Sequence, residues 1–355
     1  MINVTKTYLP PFEEYVAILK RAWDTGWITN NGELVQELEQ KLKKYLGVQH
    51  LLFTCNGTIV LQMALKALGI TKEVITTPFS YVATTNAILW EGCKPVFVDI
   101  DSKTFCIDAK KIEAAITPNT QAILATHVYG VPCDVEAIEV VAKKHNLKVI
   151  YDGAHAFGCT YKGKSLLSYG DISTCSFHAT KLFHTVEGGC IITNDDVIAR
   201  QLMLYRQFGH VYDDYFSVGI NGKNSEFHAA MGLCVLPKID HIISERKKIS
   251  QQYDAVFSAI LQRPLMINEP EYNYGYYPIV LKSEKQLLKV VENLKEKNIN
   301  GRRYFFPSLN ELPYLQKQSC PISEDISKRV FCLPLYFGLN EGEVKMIAEC
   351  VIKTK

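Results

Sequence analysis

The two stretches that decide the fold are VIYDGAHAFG at residues 149–158 and SFHATK at residues 176–181. The first is an apolar run that ends in an acid, Asp152, and continues into a turn that contains glycine. The second ends in Lys181, which follows Asp152 by 29 residues. An acid directly after a buried strand, with a lysine one strand and one loop further on, is the pair of groups that a pyridoxal phosphate (PLP) enzyme needs.

The chemistry of this pair explains why both residue types are required. The lysine amine condenses with the cofactor aldehyde, and the carboxylate keeps the pyridinium nitrogen protonated, so that the ring accepts electrons. Taken singly, Lys181 has the ordinary interpretation of a surface lysine and Asp152 that of a strand-end cap. Because each prediction constrains the other, the pair predicts Lys181 and Asp152 as the catalytic residues of a PLP site.

Short apolar strands alternate with amphipathic helices in the first two thirds of the chain. Helices are predicted at residues 33–45 and 135–144, and strands at residues 50–54, 74–77, 95–99, 122–126 and 148–151. This alternation predicts an α/β fold with a mainly parallel sheet, and the continuous apolar strands predict that both of its faces are covered. Ligands gather at the carboxyl ends of the strands in such sheets. The residues that closely follow predicted strands are Gly57, Thr58, Tyr81, Asp152 and Lys181.

The pattern changes after about residue 235. A long polar helix is predicted at residues 239–261, followed by a stretch rich in proline and tyrosine, a strand at 278–281, and helices at 284–297 and 341–352. We therefore expect a large PLP-binding domain at residues 1–235 and a smaller α+β C-terminal domain at residues 236–355.

Composition narrows the class of protein. The 355 residues carry a formal charge of +2, and no basic stretch has the length or aromatic interleaving of a nucleic-acid site. No apolar run approaches the ~20 residues that span a bilayer, and the N-terminus has no signal-peptide core. The eleven cysteines form no CxxC pair and have no metal-type spacing. We expect a cytoplasmic protein with reduced thiols, no metal, and no membrane or nucleic-acid partner.

Three residues are candidates for binding the cofactor phosphate. Gly57 and Thr58 form a strand-to-helix turn whose backbone N–H groups suit a dianion, and Ser176 offers a hydroxyl. The alternative for the turn is a simple helix cap by Asn56 or Thr58.

Two further residues are candidates for contacting the cofactor ring. Tyr81 has the position of a stacking aromatic, and His155 follows Asp152 by three residues, near the ring oxygen or the opposite face. The alternatives are a core aromatic and a core histidine with a backbone partner. His178 and His184 flank Lys181 but do not form a metal signature.

With these residues assembled, the chain resembles the DegT/DnrJ/EryC1/StrS family of sugar-nucleotide aminotransferases, which have the type I (aspartate aminotransferase) fold. The resemblance covers nearly the whole chain. The segments that carry it are residues 26–32, 56–58, 77–84, 127–130, 152–156, 176–181 and 219–227.

The resemblance implies a role for each matching residue. It implies that Lys181 forms the Schiff base, that Asp152 pairs with the pyridine nitrogen, and that Tyr81 stacks on the ring. His155 lies beside the ring, and the phosphate is held by Gly57, Thr58, Ser176 and, from the neighbouring subunit, Asn221. Shared active sites imply a homodimer.

Two positions depart from the usual family pattern. Lys223 stands where many relatives have arginine, and a lysine cannot offer the bidentate fork of arginine, so we expect contacts to the substrate phosphate that differ from those of the relatives. Gly153 stands where many relatives have alanine. Candidates for reading the hexose and the nucleotide, by position, are Trp27, Thr29, Asn30 and residues 302–306.

Within the family the chain looks most like members that act on a dTDP-linked 4-keto-6-deoxyhexose with L-glutamate as donor. One alternative is amination of a 3-keto-6-deoxyhexose, and another is a PLP-binding regulator without turnover. A third is a sugar 3-dehydratase, but those relatives have histidine in place of the lysine, and this chain has Lys181.

Overall fold

The computed structural model describes residues 1–266 and 270–354. Its helices are α1 (Phe12–Thr25), α2 (Glu33–Leu46), α3 (Ile59–Ala67), α4 (Val82–Trp90), α5 (Ala109–Ile112), α6 (Val135–His145), α7 (Asp196–Arg206), α8 (Glu226–Val235), α9 (Ile239–Phe257), α10 (Glu284–Glu296), α11 (Pro321–Arg329) and α12 (Glu341–Ile352). None of the described helices is long and apolar enough to traverse a bilayer.

The strands alternate with these helices. They are β1 (Ile2–Asn3), β2 (His50–Thr54), β3 (Glu73–Thr76), β4 (Lys94–Phe97), β5 (Thr120–Thr126), β6 (Lys148–Asp152), β7 (Thr160–Tyr161), β8 (Lys164–Ser165), β9 (Ile172–Ser176), β10 (Gly189–Thr193), β11 (His210–Val211), β12 (Asp214–Tyr215), β13 (Tyr277–Val280), β14 (Ile299–Asn300) and β15 (Val330–Leu333).

A seven-stranded sheet organises the first two thirds of the chain. Its strand order is β2-β10-β9-β6-β5-β3-β4, and all neighbours are parallel except that β10 runs antiparallel to both β2 and β9. The predicted α/β fold with a mainly parallel sheet is therefore confirmed. Because β10 is reversed, β2 and β9 run in the same direction, and the carboxyl ends of β2, β9, β6, β5 and β3 meet at one edge.

Both faces of the sheet are buried. Side chains alternate along each strand, so Val149 and Tyr151 pack into one apolar cluster while Ile150 packs into another on the opposite face. This is why the strands are continuous apolar runs, as the sequence predicted.

The C-terminal elements form a further core. Its members come mainly from α9, α10, α12 and the two-stranded sheet of β13 and β15. Ile2 of β1 joins them because β1 pairs with β14. The division of the chain at residues 235 and 236 stays a prediction.

One predicted helix end is wrong. Helix α9 ends at Phe257, not at Leu261. Beyond it the backbone bends, since the N–H groups of Ile260 and Leu261 both donate to the Phe257 carbonyl, and the Gln262 carbonyl then accepts from the N–H of Val280 at 2.9 Å. The tertiary pairing with β13 overrides the local helical pattern.

Candidate active site

A cavity of about 280 Å³ opens at the carboxyl edge of the sheet. The predicted residues that line it are Gly57, Thr58, Tyr81, Asp152, His155, Ser176 and Lys181. They come from different strand ends and loops, so the fold brings them together as the sheet topology predicts.

Asp152 ends β6 and is buried, with only 5% of its surface exposed. Its carboxylate accepts from the Thr84 hydroxyl at 2.7 Å and from the Ala154 N–H at 3.0 Å. Burial raises the pKa of Asp152, while these two hydrogen bonds and the charge of Lys181 oppose the rise. The carboxylate is thus oriented by two donors and lines the same cavity as Lys181.

Lys181 lies in the loop between β9 and β10. Hydrogen bonds within that loop tie it down, because the Phe177 N–H donates to the Gly188 carbonyl at 2.8 Å and the Thr185 N–H to the Phe177 carbonyl at 2.9 Å. The Lys181 amine lies 3.3 Å from the Tyr276 hydroxyl and donates to it. Burial lowers the pKa of Lys181, which favours the neutral amine that acts as a nucleophile.

His155 fits both of its sequence interpretations. Its Nδ1 accepts from the Tyr129 N–H at 3.1 Å, so it has the backbone partner of a core histidine, and it still lines the cavity. Its ring is stacked on Phe305 with centroids 5.6 Å apart. Burial lowers the pKa of His155 well below its ordinary value, and the charge of Lys181 acts in the same direction. The imidazole is therefore neutral, with its Nδ1 occupied.

The corner formed by Gly57, Thr58 and Ser176 is tightly packed. A Cβ atom on Gly57 would lie 2.6 Å from the Ser176 Cβ, so only glycine lets this serine approach. The Asn56 side chain accepts from the N–H groups of Thr58 and Ile59, both at 2.9 Å. The Asn56 side chain thus occupies two N–H groups at the start of α3, whose N-cap residue, Thr58, makes no side-chain cap bond of its own. The Thr58 and Ser176 hydroxyls remain as side-chain donors for an anion in this corner.

Asn221 lies outside the cavity of its own chain. It is exposed and pairs with Gln207 next to the hairpin of β11 and β12. The Lys223 amine in the same segment lies 4.8 Å from the centroid of the Phe208 ring.

Sequence reasoning identified part of the remaining lining. Arg302, Tyr304 and Phe305 of segment 302–306 line the cavity, whereas Trp27 lines a separate one beside Glu226. The roles of Thr84 and Tyr276 were missed. Thr84 stood within a quoted motif, and Tyr276 within the stretch rich in tyrosine, but no spacing rule connects either of them to Asp152 or Lys181.

A larger cavity of about 760 Å³ lies elsewhere and contains none of the predicted residues. Its lining includes Lys44, Tyr45 and Glu271. We assign the chemistry to the smaller cavity, because that one holds the buried carboxylate and the buried amine. In the part of the chain that the structure describes, no group of three or more His, Cys, Asp or Glu side chains is placed to hold a metal ion.

The chain is similar to known proteins over nearly its whole length. The model of the DegT/DnrJ/EryC1/StrS aminotransferase family matches residues 12–352. The dTDP-4-amino-4,6-dideoxy-D-glucose transaminase of Shigella dysenteriae is 41% identical over 363 residues, which cover 100% of this chain and 99% of that protein.

Solved structures agree with the sequence relatives. DesI, solved in the presence of its TDP-sugar product, superposes with a TM-score of 0.94 at 31% identity and covers 99% of this chain and 93% of its own. Spr1654 from Streptococcus pneumoniae, solved in a PLP form, has a TM-score of 0.90 at 25% identity and covers 99% of this chain and 100% of its own.

Proposed function

We propose that this chain, which belongs to the DegT/DnrJ/EryC1/StrS aminotransferase family, uses PLP to transfer the amino group of L-glutamate to a dTDP-linked 4-keto-6-deoxyhexose. The observation that carries the proposal is that Lys181 and Asp152 line one cavity at the carboxyl edge of the sheet. The Shigella dysenteriae relative is a dTDP-sugar transaminase by name, and DesI was solved with its TDP-sugar product; both support the dTDP-sugar as substrate.

The residues of the cavity fit the proposed cofactor. A buried carboxylate is a suitable partner for a pyridinium N–H, because the pair removes the cost of an isolated buried charge. The Thr58 and Ser176 hydroxyls belong to residues that line the same cavity, and only glycine at position 57 leaves room for Ser176. Tyr81, half exposed at 52%, has an aromatic face available in the cavity.

Each residue then has a defined task. Bound PLP supplies an electron-accepting ring next to the carbon that loses its proton. Asp152 keeps the ring nitrogen protonated. Lys181 removes the proton from the donor carbon as a neutral amine and returns a proton to the sugar carbon in the second half of the reaction. General acid–base transfer of this kind contributes roughly 10²–10⁴-fold to the rate.

The proposal includes a homodimer in which Asn221 reaches the phosphate of the neighbouring subunit. Two observations support it: Asn221 lies outside its own cavity, and the adjoining hairpin exposes large apolar side chains. The exposed residues are Tyr212, Tyr215, Phe216 and Val218. Exposed apolar patches of this kind mark interfaces.

A cytoplasmic location is also part of the proposal. The eleven cysteines are free, and all but Cys55 are buried, which suits a reducing compartment.

The deciding experiment is incubation of the PLP-loaded protein with L-glutamate and the dTDP-linked 4-keto-6-deoxyglucose. We expect an amino sugar with the new nitrogen on C4, identified by NMR. Nitrogen on C3 of a 3-keto substrate, with no product from the 4-keto sugar, would support the 3-amino alternative. An absorbance spectrum that glutamate leaves unchanged would support a binding protein without turnover.

A further inference from the structure

Arg302 lines the same cavity as Lys181 and is held there by its backbone and its side chain. Its N–H donates to the Cys332 carbonyl at 3.1 Å, and its carbonyl accepts from the Cys332 N–H at 2.8 Å, so the residue is fixed against β15. Its guanidinium carbon lies 4.9 Å from the centroid of the Tyr304 ring. The guanidinium is thus close to another residue of the cavity lining.

No carboxylate among the described residues pairs with Arg302, whereas its neighbour Arg303 has an ion-pair partner. The Arg303 guanidinium donates to Glu284 at 2.7 Å and to the Lys328 carbonyl at 3.1 Å. A guanidinium in a cavity without a protein counter-ion is a binding group for an anion, and its planar fork matches a carboxylate.

Aromatic contacts relate Arg302 to the reacting amine. Lys181 donates to the Tyr276 hydroxyl, and the Tyr276 ring meets the Tyr304 ring edge to face with centroids 5.7 Å apart. Burial and the proximity of Tyr276 raise the pKa of Tyr304, while the charges of Arg302 and Lys181 both oppose the rise. Tyr304 is therefore near both Arg302 and Lys181.

We propose, on the basis of the proposed function, that Arg302 binds the α-carboxylate of the amino-acid donor and so orients the donor carbon toward Lys181. That carboxylate is bonded directly to the carbon that loses its proton, so it arrives beside the Lys181 amine with every donor molecule. The diphosphate of the nucleotide sugar, in contrast, is attached to C1 of the hexose, at the opposite end from the keto carbon.

The test compares Arg302→Met with the matched control Arg303→Met in the PLP-loaded protein. Loss of a charged hydrogen-bonding partner predicts a KM for L-glutamate that rises roughly 10- to 100-fold in Arg302→Met. The KM for the nucleotide sugar stays within about twofold, because that substrate keeps its contacts. Arg303→Met changes neither KM, and Arg302→Lys recovers part of the loss, since it restores the charge without the fork.

A binding measurement makes the inference independent of turnover. Titration calorimetry with 2-oxoglutarate, which has the α-carboxylate but no amine, should give a Kd roughly 10-fold or more weaker in Arg302→Met than in the unmodified protein and in Arg303→Met.

Two outcomes would overturn the inference. One is a rise in the KM for the nucleotide sugar with no change for glutamate, which would assign the guanidinium to the diphosphate. The other is equal affinity for 2-oxoglutarate in all three proteins. If instead the unmodified protein forms no amino sugar, the proposed function fails, and the 2-oxoglutarate titration still decides whether Arg302 binds the carboxylate.

Discussion

At the scale of single residues, Asp152 balances two opposing influences on its protonation. Burial favours the neutral acid, while Thr84, Ala154 and Lys181 favour the carboxylate. The glycine that follows has a packing reason, because a Cβ atom on Gly153 would lie 2.2 Å from a methyl group of Leu167. The departure from the usual alanine thus reflects the local packing and leaves the acid in place.

The Thr84 hydroxyl is expected to keep Asp152 ionised. Thr84→Val removes that hydrogen bond, so the pKa of Asp152 should rise, and the acid limb of the pH–rate profile should move to higher pH. The rate with glutamate at neutral pH should fall roughly 10-fold, which corresponds to one lost bond to a charged group. Thr85→Val is the control, because the buried Thr85 hydroxyl has no hydrogen-bond partner among the described residues. Identical pH profiles for the two variants would exclude this role for Thr84.

Replacement of the lysine tests the proposed catalytic group itself. Lys181→Ala should abolish turnover and remove the absorbance of the lysine-bound cofactor, because no other lysine of the described residues lines that cavity. The variant should still bind pyridoxamine phosphate, measured by equilibrium dialysis, since Asp152 and the phosphate corner remain. Steady-state transamination by Lys181→Ala would contradict the assignment.

At the scale of elements, a buried ion pair joins helix α2 to the edge of the sheet. Glu39 of α2 accepts from Arg206 of α7 at 2.5 Å and from the N–H of Phe53 in β2 at 2.7 Å. Arg206 also donates to the Phe53 carbonyl at 2.9 Å. These contacts fix β2, whose carboxyl end leads into the turn at Gly57 and Thr58.

Removal of Glu39 should therefore be costly. Glu39→Ala leaves the Arg206 charge buried and unpaired, with only 5% of its side chain exposed, and should lower the free energy of unfolding by about 3–5 kcal/mol. Asp24→Ala breaks the exposed pair with Lys20 and should change it by less than about 1 kcal/mol. Urea unfolding of both variants measures the difference, and equal midpoints would refute the structural role of the buried pair.

At the scale of the whole molecule, the proposed sharing of active sites in a homodimer predicts complementation between two inactive variants. Lys181→Ala and Asn221→Ala should each be inactive or nearly so as homodimers. In a hybrid dimer, one site combines an intact Lys181 with an intact Asn221 of the partner. Equal co-expression should restore about a quarter of the full activity, because half of the dimers are hybrids with one good site each. If Asn221 acts within its own chain, co-expression restores nothing.

Buried histidines should also make the folded chain sensitive to acid. Burial lowers the pKa of His127 to about 3, and His127 accepts from the Cys133 N–H at 3.1 Å through Nδ1. Below pH ~6.5 His127 is protonated in the unfolded chain but stays neutral in the folded chain. The contribution of His127 to the free energy of unfolding is therefore lost as the pH falls from about 6.5 toward 3.

His127→Gln keeps an acceptor for Cys133 but does not titrate. The drop in unfolding free energy between pH 7.5 and pH 5.0 should therefore be about 2 kcal/mol smaller in the variant than in the unmodified chain. Urea titrations at the two pH values measure it. An unchanged drop would mean that His127 is protonated in the folded state.

The sequence by itself determined the alternation of strands and helices and the positions of Asp152 and Lys181 after their strands. These features are local. A strand that is buried on both faces is a continuous apolar run, and an amphipathic helix has apolar residues at helical spacing. Since parallel strands present their carboxyl ends at one edge, the same pattern also predicted which residues would meet there.

Only the tertiary structure decided which other groups touch that pair. Thr84 meets Asp152 across 68 positions of sequence, and Tyr276 meets Lys181 across 95. It also decided that α9 ends at Phe257 and that Arg302, unlike Arg303, faces the cavity. Such contacts depend on how separate elements pack and bend against one another, and a side chain carries no local signal of the partner that folding brings to it.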